Sequence, residues 1–292
     1  MSSISGIHGL EPTINIIKHT KKIAIANKEA IICGWHLIKK NLFKYKTKFI
    51  PVDSEHFSIF YALQGNKISN INKIYLTASG GPLNNLPRSR FKNIKISEAI
   101  NHPNWKMGKK ISVDSSTLMN KVFEIIEAKK IFNLKYSQLD ILVHPDSYVH
   151  AIIKFNDGMI KVVAHDTNMR IPIFNSLYDN QQNTLKTDQL NIKKLNFLNF
   201  TNVDKNKFPS IKIIKKLKNK ESLLETIIVL ANDELVNLFL LKKINFTDIV
   251  TILQKLINMK FFKNYSKKKS ININSLIALN KLVRANIDKL VY

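Results

Sequence analysis

Only one cysteine, Cys33, stands in 292 residues, so no intramolecular disulfide can form and no thiolate metal cluster can be assembled from one chain. That predicts a reducing compartment and a small, buried, inert thiol. Long apolar runs are missing as well. Nothing approaches the roughly 18 consecutive apolar residues a membrane span needs, and the start, MSSISGIHGLEPT, has no basic stretch followed by an apolar one. A soluble, cytoplasmic protein with no membrane partner is expected. Acidic residues are scarce: 21 Asp and Glu face 46 Lys and Arg, for a formal charge of +25. Such an excess raises the question of nucleic acid. No zinc finger, aromatic RNA-binding motif or basic heptad region accompanies it. Lysine far outnumbers arginine and travels with Ile and Asn, the mixture an AT-rich coding sequence supplies, and runs such as Lys215 to Lys220 read as solvated helix faces. No nucleic-acid partner is expected; the field should instead draw in small anions such as sugar phosphates.

With 45% hydrophobic and 23% charged residues, the composition is globular and the class α/β with α+β character. Leu10 to His19, with Pro12 near its start, predicts a helix, Ile23 to Ala26 a strand, Glu29 to Asn41 a helix and Lys48 to Val52 a short strand. Lys73 to Ala78 is a strand broken by Ser79-Gly-Gly-Pro82. His102 to Lys110 has no periodicity and reads as a loop. Val113 to Ser116 offers N-caps for one helix running to about Phe132. Strands follow at Leu139 to Val143, His150 to Phe155 and Met159 to Ala164, the last two joined at Asn156-Asp-Gly158. From Phe208 to Tyr292 apolar residues recur at helical spacing.

Asp53 and Glu55 sit two apart in a segment read as extended, which points both carboxylates into one space. A divalent cation would relieve their repulsion, although such pairs are also common at solvated strand ends. Thr117, Asn120, Lys121 and Glu124 fall on one polar helix face, opposite Leu118, Val122, Ile125 and Ile126. Glu124 offers a third carboxylate, and Ser115, Asn120 and Lys121 offer donors to an anion; a solvent-facing amphipathic helix has the same pattern. Ser79-Gly80-Gly81 suits a phosphate cradle or simply a tight turn. His102, in a loop with Trp105, suits a phosphate contact or a structural role. Asn27-Lys28-Glu29 follows a strand, where α/β folds place ligands.

Read in order, Ala26-Asn-Lys-Glu29, Pro51-Val-Asp-Ser-Glu-His56, Leu76-Thr-Ala-Ser-Gly-Gly-Pro82, His102-Pro-Asn-Trp-Lys-Met-Gly108 and Lys110-Ile-Ser-Val-Asp-Ser115 resemble the successive motifs of 1-deoxy-D-xylulose-5-phosphate reductoisomerases. Met119-Asn-Lys121 with Glu124, His144 to His150, Met169-Arg-Ile-Pro-Ile173 and Ala231-Asn-Asp-Glu234 continue the series. The resemblance implies NADPH-dependent rearrangement and reduction of 1-deoxy-D-xylulose 5-phosphate to 2-C-methyl-D-erythritol 4-phosphate, in non-mevalonate isoprenoid synthesis. It also implies a homodimer. By the same resemblance Asp53, Glu55 and Glu124 hold Mg²⁺ or Mn²⁺; Lys28, Ser54, Glu55 and Glu124 surround the reacting end of the sugar phosphate substrate. Ser79, His102, Ser115, Asn120 and Lys121 fix its hydroxyls and phosphate, and Asn27, Glu29 and Gly108 touch NADPH. The family's glycine-rich Gly-x-Thr-Gly-Ser-Ile-Gly loop does not occur in this sequence, which reads as N-terminally truncated. The domains are then a remnant of a Rossmann-like NADPH domain (1–51), a catalytic α/β domain (52–178), a linker (179–206) and a C-terminal helical domain (207–292). Ile23 to Ala26 should be left as an uncovered sheet edge. Val122 stands where the family usually has glycine, Asp146 where glutamine is common, and Thr167-Asn168 replaces Pro-Asp. The alternative is a truncated or decayed homologue that binds metal and sugar phosphate without turnover.

Overall fold

The computed structural model describes residues 1–178, 183–268 and 272–292. Helix α1 (Leu10–Ile17) leads into β1 (Lys22–Ile25), α2 (Lys28–Tyr45) and β2 (Lys48–Pro51), and the two strands pair in parallel. The strand-helix-strand unit expected from the sequence is present, but its strand is not an uncovered edge. Ser2 bridges Ile25 on the side away from β2: Ser2 N donates to Ala24 O at 2.8 Å and Ala26 N to Ser2 O at 2.9 Å. Leu10, Ile17, Ile31 and Ile38 gather with Ile23 and Ile25 in a small core, so apolar surface and ladder groups are both satisfied.

The middle of the chain runs α3 (Ser54–Ala62), β3 (Ile71–Ala78), α4 (Ile96–Ile100), α5 (Lys109–Ser116), α6 (Met119–Ile131), β4 (Leu139–Val143), β5 (Val149–Phe155), β6 (Ile160–Ala164) and α7 (Arg170–Leu177). Four of its strands and a late one build a five-stranded sheet in the order β6-β5-β3-β4-β7, with β3 parallel to β4 and the other pairs antiparallel. Asn156 to Gly158 turns the β5–β6 hairpin as expected, Gly158 taking φ 89. The first four residues of the expected linker, 179–182, lie outside the described residues. The remainder is more than a connector, since it carries α8 (Ile192–Asn196) and β7 (Thr201–Asn202), which pairs with Leu142 and Val143 at the sheet edge.

Two local expectations fail. Asp53 and Glu55 are not on a strand: Asp53 is the N-cap of α3, its Oδ1 accepting from Glu55 N at 3.2 Å and His56 N at 3.4 Å. A carboxylate just before a helix start is worth more as a cap than as a strand residue, so the helix begins at Ser54. The single helix from Val113 to Phe132 is two helices, because Leu118 adopts a left-handed conformation (φ 56) between α5 and α6. That conformation costs an L-residue roughly 1–2 kcal/mol, and complete burial of the leucine side chain, worth about 2 kcal/mol, offsets it. The first of the two also starts earlier, with Gly108 at its N-cap, so Ser115 lies in its last turn rather than at a helix start.

After a 3₁₀ turn at Pro209–Lys216 come α9 (Leu223–Leu240), α10 (Phe246–Asn258), α11 (Lys260–Lys263) and α12 (Ile273–Val291). Lys218 and Lys220 are exposed but lie beyond that turn, so only part of the expected lysine-rich helix face is helical. Ile227, Ile228 and Leu235 of α9 join Phe123, Ile125 and Ile126 of α6 and the sheet residues Ile74 and Leu76 in one continuous core. Helix α6 is thus buried on nearly every side, which rules out the solvent-facing reading of its polar residues.

Candidate active site

The cavity opens where β1, β2 and β3 end, and each end delivers a polar side chain: Lys28 begins α2, Asp53 to Glu55 begin α3, and Ser79 follows β3. It encloses about 220 Å³. Its wall includes Lys28, Asp53, Ser54, Glu55, Ser79, His102, Ser115, Asn120, Lys121 and Glu124, so all the residues expected to touch metal or substrate meet in one space. Trp105, Ser147, His150 and Met169 complete it.

Asp53, Glu55 and Glu124 each present a carboxylate oxygen, and these oxygens all lie within 4.8 Å of one another. Three such charges cannot sit together unneutralised. Lys28 pairs with Asp53 and approaches Glu124 at 3.6 Å, and Lys121 reaches Glu55 Oε1 at 2.5 Å and Glu124 Oε2 at 2.6 Å. Asn120 Nδ2 donates to Glu124 Oε1, and Ser54 Oγ donates to Glu55 Oε2 at 2.6 Å. Burial would lower the pKa of Lys28 and Lys121, but the surrounding carboxylates reverse this and hold both lysines charged.

A fourth carboxylate and a histidine, neither anticipated, lie behind the three. His56 is fully buried: its Nε2 faces Glu124 O at 2.9 Å and its Nδ1 stands 3.1 Å from Asp53 Oδ1. A carbonyl can only accept, so Nε2 carries a proton, and the nearby Asp53 and Glu127 carboxylates favour a second proton on Nδ1. Although burial opposes the charge, Glu127 and Asp53 push its pKa up to about 9. Glu127, 3.7 Å from Lys28 Nζ and 3.9 Å from His56 Nδ1, is buried too. The count is four carboxyls against three cations, with little solvent to screen the difference. The excess falls on Glu124, whose pKa burial and the charges of Glu55 and Asp53 raise to about 8, and on Glu127, which burial raises too. An all-oxygen, charge-deficient cluster of this kind fits a hard divalent cation such as Mg²⁺ or Mn²⁺. The i, i+3 spacing of Glu124 and Glu127 on one helix was the available clue to the latter.

The opposite wall carries hydroxyl and imidazole groups from Ser79, His102 and Ser115. Gly80 and Gly81 take φ 83 and 68, and a Cβ at Gly81 would sit 2.6 Å from Ser115 O, so this turn packs directly on the last turn of α5. The tight turn expected from the sequence is present. Ser79 Oγ accepts from Gly81 N at 3.0 Å and lies 3.0 Å from His102 Nε2. His102 Nδ1 accepts from both Asn104 N and Trp105 N at 3.1 Å, so its proton is on Nε2 and it donates to Ser79. Neither of these contacts uses the Ser79 hydroxyl proton. Burial, then Lys121, lowers the His102 pKa to about 4, keeping the ring neutral as this role requires. His150 is likewise held neutral, near 4, by burial and the neighbouring His165.

Asn27, Glu29 and Gly108 do not line this cavity; they flank it. Asn27 caps α2 by accepting from Ala30 N at 3.0 Å, and its amide nitrogen donates to Ile4 O and Gly6 O, so its side chain ties the start of the chain to the start of α2. Glu29 pairs with Lys110, which also reaches Asp233 at 2.8 Å and Asp114 at 3.3 Å. Beside Gly108 a Cβ would meet open space. The Asn27 amide is engaged within the protein, while Gly108 leaves room for a flat or extended group.

Fold and cavity define an α/β enzyme centre with a three-carboxylate pocket for a divalent cation and a basic, hydroxyl-bearing wall for a small anion. The chain belongs to the 1-deoxy-D-xylulose 5-phosphate reductoisomerase family. A family model of that name matches residues 1–34, its C-terminal domain model residues 49–132, and a DXP reductoisomerase C-terminal domain model residues 166–286. The reductoisomerase of Pelagibacter ubique is 58% identical over 290 residues, covering 99% of this chain and 75% of that protein. The Sulfurihydrogenibium enzyme is 40% identical, covering 93% and 71%. Among solved structures, a DOX-P reductoisomerase in complex with NADPH, fosmidomycin and magnesium superposes with a TM-score of 0.90 at 30% identity, covering 99% of this chain and 74% of that one. The Zymomonas mobilis enzyme in complex with NADPH gives 0.87 at 30%, covering 100% and 74%.

Proposed function

We propose that this cavity binds 1-deoxy-D-xylulose 5-phosphate and, with Mg²⁺ or Mn²⁺ and NADPH, converts it to 2-C-methyl-D-erythritol 4-phosphate. The observation that carries this reading is the convergence of three carboxylates, two lysines and a serine-histidine-serine wall on one cavity. Asp53, Glu55 and Glu124 hold the cation, which supplies electrophilic polarisation of a carbonyl when bound. NADPH supplies the hydride, with Glu29, Gly108 and the Asn27 segment beside it. Lys28 and Ser54 stand at the carboxylate end, where they donate to oxygens whose charge changes in the rearrangement. Ser79, His102, Ser115, Asn120 and Lys121 fix the phosphate and hydroxyls, and Trp105 shields the cavity from water. The solved relatives were captured with magnesium, NADPH and fosmidomycin, in keeping with this allocation.

The domain division 1–51, 52–178, 179–206 and 207–292 belongs to the same proposal, as do a cytoplasmic location and a homodimer. For the dimer, the support is strand β6: it is an edge of the sheet and exposes Ile160 and Val162, with Met159 just before it. No observation favours a decayed remnant. The deciding assay is NADPH oxidation by the purified chain with 1-deoxy-D-xylulose 5-phosphate and Mn²⁺, beside Asp53→Asn. Turnover abolished in the variant supports the proposal; a folded chain that binds metal and substrate but leaves NADPH unoxidised refutes the activity for these 292 residues.

A further inference from the structure

Three aromatic rings form a stack at the mouth of the cavity. Strand β5 carries a bulge against β6, because Val149 lies opposite Ala164 and Ala151 opposite Val163, which makes His150 the extra residue. A bulge re-aims its side chain, and here it turns His150 to line the cavity. His165, one residue past β6, lies against the His150 ring with centroids 3.7 Å apart and planes 19° from parallel. On His150 also rests Trp105, edge to face, at 6.1 Å and 66°. The stack is tied down by backbone: His150 Nε2 donates to His165 O at 3.1 Å, and His165 Nδ1 donates to Asp166 O at 2.8 Å. His165 does not line the cavity.

We propose that His165 is a positioning residue: its ring, clamped to Asp166, holds the His150 ring in the one orientation on which the Trp105 indole can rest, and so sets how readily that indole packs over a bound phosphorylated ligand. The loop backbone is held independently, by Asn104 Nδ2 on Pro145 O at 2.6 Å and by the two N–H groups on His102. What His165 controls is therefore the indole, not the loop as a whole. Truncating His165 leaves its carbonyl, and with it the hydrogen bond from His150, in place. Only the stacking is removed, and His150 gains space to tilt.

The inference rests on reading this cavity as the substrate site, and the test separates the two. The sequence contains two tryptophans. Trp35 packs edge to face on Phe49, apart from the cavity, so in 5-fluorotryptophan-labelled protein its ¹⁹F resonance reports an intact fold while that of Trp105 reports the stack. In the unaltered protein with Mg²⁺, fosmidomycin should shift the Trp105 resonance; no shift would overturn the reading of the cavity itself. With that shift established, His165→Ala should move and broaden the Trp105 resonance of the free protein, leave that of Trp35 unchanged, and weaken fosmidomycin binding roughly 2- to 10-fold, the range an aromatic pair contributes. His165→Phe, which restores a flat ring, should recover binding to within about twofold. His165→Ala indistinguishable from the unaltered protein at Trp105 and in affinity would overturn the proposal, as would equal loss in the Ala and Phe variants.

Discussion

Metal binding should expel a proton, and the amount follows from the charge count in the cavity. Without a cation, Glu124 titrates near pH 8, so at pH 7 it is protonated in about nine molecules of ten. A divalent ion held by Asp53, Glu55 and Glu124 needs the carboxylate. At pH 7 each cation bound should then release about 0.9 proton from Glu124, falling to ~0.1 at pH 9. The apparent affinity should weaken about 5-fold from pH 8 to 7 and about 9-fold from pH 7 to 6, or roughly 50-fold in all. His56 adds to this in a known direction, because the cation neutralises part of the Asp53 charge that helps hold its pKa near 9, and Glu127, whose pKa burial also raises, is a further source, so the Glu124 share is a lower bound on the release. Lys28 and Lys121 contribute nothing near neutrality, since both are held above the ordinary lysine value. Titration calorimetry with Mn²⁺ in buffers of different ionisation enthalpy gives the proton count directly. Glu124→Gln should bind Mn²⁺ more weakly and lose the Glu124 share of the release. An affinity flat from pH 6 to 8, with less than about 0.2 proton released at pH 7, would refute the charge-deficient account of the site.

Three further outcomes follow from the same geometry. In EDTA, the pairing of buried His56 with Asp53 and Glu127 contributes stability that is fully present below the unfolded histidine pKa of about 6.5 and lost as pH rises through 9. Urea unfolding should therefore show a decline of at least about 3 kcal/mol across that window, to which ionisation of Glu124 adds, and a decline no smaller in His56→Gln than in the unaltered protein would contradict an imidazolium at this position. Gly81→Ala places a Cβ 2.6 Å from Ser115 O at a φ of 68, so it should cost about 1–3 kcal/mol and weaken fosmidomycin binding more than Mn²⁺ binding, checked by thermal unfolding and calorimetry. Lys110→Met leaves Glu29, Asp114 and Asp233 facing one another. Because the lysine side chain is about a third exposed, the loss should fall near 2 kcal/mol rather than the 3–5 of a fully buried pair, and unfolding should become easier as pH rises and the buried carboxyls ionise, Asp233 doing so at a higher pH than beside the lysine, whose charge lowers its pKa.

Much of this site could be read in the sequence because its residues cluster at chain turns that composition alone marks. Lys28 follows an apolar strand, Ser79 to Gly81 interrupt another, and His102 to Gly108 has no periodicity at all, so each stood out against its neighbours. The errors arose where one residue type serves two structures. Asp53 suits a strand end and a helix cap equally from its neighbours, and only the packing of α3 beside β2 decides for the cap. Leu118 has a strong helix-forming side chain, yet the chain must break there to bring Ser115 and Asn120 to the same cavity, a tertiary demand that overrides propensity.

His56 and Glu127 were missed for another reason. Their importance lies in charge balance, a property of the assembled cavity rather than of any segment: His56 is 68 residues from its partner carbonyl at Glu124, and Glu127 looks like one more polar residue on an amphipathic helix. The folded chain nevertheless depends on them, because three carboxylates within 4.8 Å persist without a cation only if Lys28, Lys121 and an imidazolium surround them. Those compensating groups determine how weakly or strongly the pocket can hold a metal. A cation arriving at the cavity competes with Lys28 for Asp53 and with Lys121 for Glu55 and Glu124. If the cation displaces them, both lysines would be freed for substrate oxygens, so Mn²⁺ and fosmidomycin should each bind more tightly in the presence of the other, as paired calorimetric titrations would show.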